Sequence, residues 1–267
     1  MHGNPHLKPS TNHSLSFFYN DFNLINERVL FTSVNFSTSQ NQIVNNVTLN
    51  STSGAQLSTP VNVNGYYNAN GFYNYSRPYK NRRYVLTLNG NVNYNHIINV
   101  VENIENLSRN WVLTQGMDFQ FNDKDWLEFG AGVNYYVNSV TYSNKGAHKK
   151  KENHQYSSWI ISSSLNIDIP KNWVLKYDLD YTINQGLLSA VGKNVVNMNA
   201  SIEKQLFKKK SGIIRIQAFD LFNQNTNIYR TITANSIIDS RSNRLNKYFM
   251  LSFTYKIQKF ATNSQSW

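Results

Sequence analysis

Alternation with a period of two residues recurs along the whole chain and constrains its fold more than any other feature. From Tyr84 to Tyr94, the even positions carry apolar or aromatic side chains and one glycine, and the odd positions from Thr87 onward carry Thr and Asn. Successive side chains of a β-strand point to opposite faces. The chain therefore predicts strands with one apolar face and one polar face. The same alternation marks residues 62–75, 127–137, 158–169, 175–183 and 249–257.

The lengths of these segments predict strands that cross a membrane. Many run for ten or more residues, whereas strands of soluble proteins average about five or six. A tilted strand needs about 9–11 residues to span a bilayer. We predict roughly eleven strands, near 14–20, 28–45, 60–76, 84–95, 108–121, 126–140, 156–169, 173–184, 194–206, 212–221 and 246–258.

The connections between these strands predict two different ends for the sheet. Short turns are expected at 122–125, 170–172 and 208–211, and longer polar loops near 96–107, 141–155, 185–193 and 222–245. Outer-membrane barrels place short turns on the periplasmic side and long loops outside. If the first and last strands both run toward the short turns, the strand number is odd, as eleven is.

Tryptophans give an independent indication of two membrane interfaces. Trp126 and Trp173 each open a strand after a short turn, and Trp111 and Trp159 lie near the opposite ends of their strands. Ten residues separate Trp111 from Phe121, which at about 3.3 Å per residue and a tilt near 40° rises roughly 25 Å. This spacing is typical of the two aromatic girdles that flank an apolar band.

Composition fits such a sheet and excludes several other classes. Aromatic residues make up 14% of the chain, too many for a disordered segment, and charged residues only 15%, against about 25% in ordinary soluble domains. There is no cysteine, and no apolar run is long enough for a transmembrane helix. The formal net charge of +11 is concentrated at 77–83, 149–151 and 208–210. Short clusters between strands favour lipid headgroups and lipopolysaccharide phosphates over nucleic acid as partners.

Several segments resemble one family of membrane proteins. Residues 4–9, Asn-Pro-His-Leu-Lys-Pro, are similar to the Asn-Pro-x-Leu-Lys-Pro loop of TonB-dependent receptor barrels, and residues 60–75 resemble the outer-membrane β-barrel family related to those receptors. Residues 218–223 look like the penultimate strand of the family, and residues 248–257 look like its closing strand.

The resemblance implies an antiparallel up-and-down transmembrane β-barrel in the outer membrane of a Gram-negative bacterium. Because such receptors have twenty-two strands and a plug, residues 1–267 are expected to be the C-terminal portion of the barrel domain, an open half without plug or first half. The opening residues 1–5 do not look like a signal peptide, which agrees with a fragment. The implied function of the full-length parent is uptake of a scarce or bulky ligand with the TonB system. The expected partners are lipid, lipopolysaccharide, the missing half and the plug.

No catalytic, cofactor-binding or metal-binding residue is predicted, the chain is not expected to be an enzyme, and the ligand-binding residues stay unknown. The histidines are scattered, and we expect His148 and His154 to be solvated residues of one loop. Asp178 and Asp180 share a face with Lys176 and are expected to form a hydrated ion-pair ladder in the lumen. Asn-rich inner faces are suited to a plug, or to sugars and peptides. The histidines are His2, His6, His13, His96, His148 and His154; the glycines expected at bends or close approaches are Gly65, Gly71, Gly130 and Gly132.

Two alternatives to the receptor remain open. The first is a smaller outer-membrane barrel that acts as a surface binding or adhesion module without transport, although closed barrels usually have an even strand number. The second is a soluble β-sandwich or β-solenoid, which predicts shorter strands and apolar faces buried between sheets. Strand length and tryptophan placement disfavour the second.

Overall fold

The computed structural model describes residues 3–49, 53–123, 126–144, 151–186, 194–207, 209–224, 226–232, 237–243 and 245–257. Across these residues no helix is long and apolar enough to cross a membrane. The fold consists of β-strands: β1 Thr11–Asn23, β2 Arg28–Gln40, β3 Gln42–Leu49, β4 Gln56–Val63, β5 Tyr66–Tyr79, β6 Tyr84–Val101, β7 Ile104–Asp123, β8 Leu127–Asn144, β9 Lys151–Ile169, β10 Trp173–Gln185, β11 Asn194–Leu206, β12 Gly212–Phe219, β13 Thr226–Ile232, β14 Ile237–Asn243 and β15 Tyr248–Tyr255.

Eleven of these strands form one antiparallel meander. Their order in the sheet is β1-β2-β5-β6-β7-β8-β9-β10-β11-β12-β15, and consecutive strands in this order are hydrogen-bonded to each other. These are the eleven strands that the alternation predicted, and the predicted penultimate and closing strands are paired as β12 and β15. The described sheet does not close, because β1 and β15 are its two edges. The expectation of an open sheet is confirmed.

The sheet is a single layer whose apolar side chains stay accessible. Among the described residues, the buried hydrophobic side chains are Val63, Ile98, Val100, Val140, Tyr156 and Val174. Trp111 and Trp159 are 52% and 41% exposed, and Phe249, Leu251 and Phe253 of β15 are more than 60% exposed. A soluble sandwich would bury such residues between two sheets. The structure therefore contradicts the soluble alternative and requires an apolar medium around this face.

The strands of the central part of the sheet are longer than predicted. The predicted loop at 96–107 is wrong, because β6 and β7 continue through it and meet at Glu102 and Asn103. Both turn residues have positive φ, 51° and 61°, as the two-residue hairpin turns require. The predicted loop at 141–155 is also largely wrong, since β8 runs to Asn144 and β9 begins at Lys151.

Two predicted strands are each broken by a residue with a left-handed backbone. The strand expected at 28–45 divides at Asn41, with φ 52°, and the strand expected at 60–76 divides at Gly65, with φ 94°. Between these two points the chain leaves the meander as the hairpin β3–β4, while β2 pairs directly with β5. Gly65 fits this position because glycine adopts positive φ without steric cost.

The hairpin β3–β4 packs against the end of β6. It contributes Val63 to a buried apolar cluster with Ile98 and Val100. The Glu102 amide donates to the Val47 carbonyl over 3.0 Å, and β3 pairs with β6 in parallel over two residues. The hairpin therefore forms a small apolar core of its own at the end of the sheet.

The segment that resembles the receptor loop is fastened to this hairpin. Asn4 Nδ2 donates to the Pro60 carbonyl over 2.9 Å. The Lys8 amide donates to Asn62 Oδ1 over 2.8 Å, and Asn62 Nδ2 donates back to the Lys8 carbonyl over 2.9 Å. The described part of the N-terminal segment is thus hydrogen-bonded to β4.

The remaining predicted loops are described only in part. Within 222–245, β13 and β14 form a separate two-stranded sheet, which the sequence did not predict. β10 ends at Gln185, and most of the loop predicted at 185–193 lies outside the described residues. The same holds for the basic cluster at 149–151, apart from Lys151.

Ile98 should hold the hairpin to the sheet. Ile98→Ala removes buried apolar volume from the cluster and is expected to weaken it by about 2 kcal/mol, which corresponds to roughly a thirtyfold loss of hydrogen-exchange protection at the Glu102 amide. Ile161→Ala is the matched control, because Ile161 is 47% exposed on the apolar face. Equal protection at Glu102 in both variants would show that the cluster does not hold the hairpin.

Candidate functional site

Strand pairing sorts the side chains of the meander into an apolar face and a polar face. Tyr84, Phe121 and Phe129 lie in one row across β6, β7 and β8, in register with Tyr79 of β5. Ten residues further along β6, Tyr94 lies beside Trp111, with ring centroids 4.4 Å apart. Tyr67 continues this second row at 5.8 Å from Tyr94. The apolar face thus carries two aromatic rows at the spacing predicted for membrane girdles.

The turns fix which row lies where. The row of Tyr79 and Tyr84 adjoins the turn at residues 80–83, and the row of Tyr94 and Trp111 lies toward the hairpin β3–β4. We call these the short-turn end and the long-loop end of the sheet. Because most short turns are periplasmic in outer-membrane barrels, the short-turn end is the one expected on the periplasmic side.

The polar face carries a ladder of amides and hydroxyls. Asn70 Nδ2 donates to Asn93 Oδ1 over 2.5 Å, and Asn93 Nδ2 donates in turn to Asn91 Oδ1. Asn89 Nδ2 donates to Asp118 Oδ2 over 3.3 Å. Each amide both donates and accepts, so this face can bind polar groups of either kind.

A trough crosses the polar face between β7 and β10. Its floor is formed by the two glycines of β8, and its walls by longer polar side chains. A Cβ atom on Gly132 would lie 2.5 Å from Asp118 Oδ1, and one on Gly130 would lie 2.5 Å from Ser164 Oγ. Neighbouring side chains therefore use the space above both glycines, in accordance with the close approach expected there. The two register rows that form the trough are Asp118, Gly132, Ser162, Asp180 and Gln120, Gly130, Ser164, Asp178.

Two open cavities occupy this trough. The larger has a volume of about 520 Å³ and reaches from Gln120 to Lys176, and the smaller has about 230 Å³ and lies beside Asp118 and Asp180. Carboxylates of three strands face this space, together with serine hydroxyls. The trough can therefore accept hydrogen bonds from hydroxyl, amide or cationic groups.

Lys176 pairs with a different acid from the one expected. Its Nζ lies 3.5 Å from Glu203 Oε1, and Arg215 Nε lies 2.9 Å from the same oxygen without the alignment of a hydrogen bond. The Glu203 side chain is 5% exposed. The predicted ladder of Lys176 with Asp178 and Asp180 is therefore wrong, since a buried glutamate on β11 takes the lysine instead.

The polar face also carries a group of exposed phenylalanines that the alternation within single strands does not reveal. Phe31 lies diagonally between Phe18 on β1 and Phe72 on β5, because both pair with Ser33. Phe22, on the same side of β1, completes the group, which we call the phenylalanine patch. Its side chains are 66% (Phe18), 61% (Phe22), 48% (Phe31) and 41% (Phe72) exposed. Their positions on the face that otherwise carries Asn and Ser could have identified them.

At the long-loop end the polar face is densely packed. Tyr156 Oη donates to Asn184 Oδ1 over 2.8 Å in a buried contact, and Tyr136 lies beside Tyr156. His154 belongs to β9 and contacts the Tyr142 ring edge-on, so its assignment to a solvated loop is wrong. Burial raises the pKa of the Tyr142 phenol.

The other histidines are not brought together. His96 contacts the Gly65 carbonyl through Nδ1 at 2.7 Å and stacks on Tyr67, and His13 lies on β1. His2 and His148 lie outside the described residues. Among the residues that the structure describes, no group of three or more His, Asp or Glu side chains could hold a metal ion.

An open meander with a lipid-compatible face, a polar face and two aromatic rows defines the wall of a membrane β-barrel. Residues 67–255, more than two thirds of the chain, match the model of the Outer membrane protein beta-barrel family. The chain belongs to this family, and its location is the outer membrane of a Gram-negative bacterium. Family members are typically not enzymes. No curated protein and no solved structure matches the chain.

Glu203 should be the charge on which the short-turn half of the polar face depends. Glu203→Gln leaves Lys176 and Arg215 without a counterion and is expected to cost about 1–2 kcal/mol, because both cations retain partial solvent access. The urea midpoint of unfolding from lipid vesicles measures this loss. Glu27→Gln is the matched control, since the Glu27–Arg82 pair is exposed and such pairs contribute little. Equal midpoints for both variants would contradict the assignment.

Proposed function

We propose that the chain forms part of the wall of a TonB-dependent-type receptor, which takes up a scarce or bulky ligand through the outer membrane. In this proposal the chain is the C-terminal portion of the barrel. A further set of strands closes the wall, and a plug fills the lumen. The directions of the two edge strands are the main support.

Both edge strands run toward the short-turn end. β1 ends at Asn23, beside the turn that leads to β2, and β15 ends at Tyr255, opposite Gly212 at the start of β12. Antiparallel closure therefore needs a strand running the other way at each edge, and hence an odd number of additional strands. A second copy in the same orientation would place parallel strands side by side at each junction between the copies. An odd complement gives an even total, as in bacterial outer-membrane barrels.

The phenylalanine patch supports a covered lumen. Four exposed phenylalanines on a face that otherwise carries mainly amides and hydroxyls are unfavourable in a water-filled channel, since each exposed side chain retains apolar area in contact with water. A plug that packs on β1, β2 and β5 would bury them. The trough between β7 and β10, which is polar, would then remain as the space for ligand or water.

The smaller display barrel is the second candidate. Its support is the length of β6 to β9, which are 18 to 20 residues long. These strands extend beyond the aromatic row at the long-loop end. Such extensions present surface outside the membrane whether or not the barrel transports a ligand. The even strand number of closed barrels disfavours this candidate as long as the wall has eleven strands.

The mass of the native polypeptide distinguishes the two candidates. Peptides from residues 67–255 are to be traced by mass spectrometry in outer membranes separated by size under denaturing conditions. The receptor proposal expects them in a polypeptide well above the 30.9 kDa of this chain, with peptides of a plug in the same polypeptide. A polypeptide of about 31 kDa would contradict the receptor and favour the display barrel.

The phenylalanine patch should also control leakage through the complete receptor. The double variant Phe31→Ser and Phe72→Ser is expected to assemble normally and to let bulky antibiotics pass, because the plug loses apolar contacts. Antibiotic sensitivity and single-channel conductance measure this. The control, Phe36→Ser with Phe119→Ser, changes the apolar face and should lower assembly instead. Normal impermeability of the first variant would count against a plug at this patch.

A further inference from the structure

Cations at the short-turn end lie on aromatic rings. The Arg77 guanidinium carbon lies 4.9 Å from the Tyr79 ring centroid, and Lys80 Nζ lies 5.7 Å from the Tyr84 ring centroid. Arg83 and Lys204 contact Phe121 and Trp173 in the same way. In the described part of the chain, all cation–aromatic pairs lie at this end of the sheet. This places positive charge along the periplasmic aromatic row.

Like Lys204, Arg77 lies on the apolar face of the sheet. It pairs with Leu86 of β6, and Leu86 pairs with Phe119 of β7. This row is one step further into the membrane than the aromatic row of Tyr79 and Tyr84. A charged side chain among lipid-facing residues is costly unless its head reaches the interface or meets an opposite charge.

The orientation of Arg77 shows which way its head points. Its guanidinium lies over Tyr79, two residues closer to the short-turn end, so the side chain extends toward the interface. Its Nε atom is buried and has no hydrogen-bond partner. A buried guanidinium N–H without an acceptor is unfavourable, and here it lies beside the headgroup level of the inner leaflet.

The neighbouring acids are already paired with other cations. Arg28 pairs with Asp21, Arg82 pairs with Glu27 and Arg83 pairs with Asp123. Within the described ranges, neither Arg77 nor Lys80 has an acidic partner. Both cations lie close to the turn at residues 80–83, and both carry an aromatic ring at their side.

We propose that Arg77 and Lys80 bind the phosphate of an anionic phospholipid in the periplasmic leaflet. The terminal N–H groups of Arg77 donate to the phosphate, Lys80 adds a second charge from the turn, and the Tyr79 and Tyr84 rings pack against the glycerol and the upper acyl chains. A guanidinium suits phosphate geometry. The site depends on the location of the chain in the outer membrane and not on the transport proposal.

Native mass spectrometry of the full-length protein in neutral detergent, titrated with phosphatidylglycerol, tests this site. The wild-type protein is expected to bind one lipid tightly, and Arg77→Gln with Lys80→Gln is expected to raise its apparent Kd about tenfold. The matched control is Arg82→Gln with Arg83→Gln, which removes the same charge from the same turn but from cations that already have partners. It should leave the Kd unchanged.

Three outcomes would overturn the proposal. Equal weakening by both double variants would indicate general electrostatic attraction, and no weakening by either would remove the site. Binding of inorganic phosphate alone with equal affinity would show that the site does not recognise a lipid. If the first double variant fails to fold, Lys80→Gln alone, in an exposed turn, is expected to raise the Kd about threefold, and an unchanged Kd would again overturn the proposal.

Discussion

Hydrogen bonding between neighbouring antiparallel strands is the interaction on which the rest of this structure depends. Among the described residues no second layer covers the sheet, so the ladder itself must satisfy the backbone groups that the bilayer cannot. Every other feature follows from its register. Because each strand pairs without a shift of face, Leu88, Met117 and Val133 align on one side, and the Asn and Ser side chains align on the other. A slip of one residue in any strand would bring amides into lipid.

The source of stability changes along the strands. Between the two aromatic rows, lipid takes the place that a core takes in soluble proteins, and side chains such as Leu113 and Met117 remain exposed in the isolated chain. Beyond the aromatic row at the long-loop end, β6 and β7 extend toward water. There the protein supplies its own apolar cluster around Ile98 and Val100. The hairpin β3–β4 therefore belongs to the extension and not to the membrane wall.

Sequence alternation was sufficient to predict the eleven strands of the meander, their faces and the girdles, because a period of two is a local property. It failed at two places, where a backbone conformation or a contact distant in sequence determines the structure. Glu102 and Asn103 form a tight turn through left-handed backbone angles, and the alternation pattern did not predict this turn. The break at Asn41 depends on the hairpin finding β6, more than fifty residues away along the chain.

The candidate site shows the same division. The amides and carboxylates of the polar face were predicted from alternation, yet the pairing of Lys176 with Glu203 depends on which strand lies next to β10. Phe31 and Phe72 were hidden because each lies on a face of its own strand that is otherwise mainly polar. Only the pairing of β1, β2 and β5 shows that they form one patch.

Depth-resolved fluorescence quenching tests most directly whether the apolar face lies in lipid. Two variants would each retain one tryptophan, Trp111 in the first and a Met117→Trp replacement in the second, in vesicles of lipids brominated at defined acyl positions. If the sheet spans the membrane, bromine near the headgroup quenches Trp111 most strongly. Bromine near the bilayer centre then quenches the tryptophan at position 117 most strongly. Fluorescence that no bromine position quenches, or the same depth for both tryptophans, would contradict a membrane-spanning sheet.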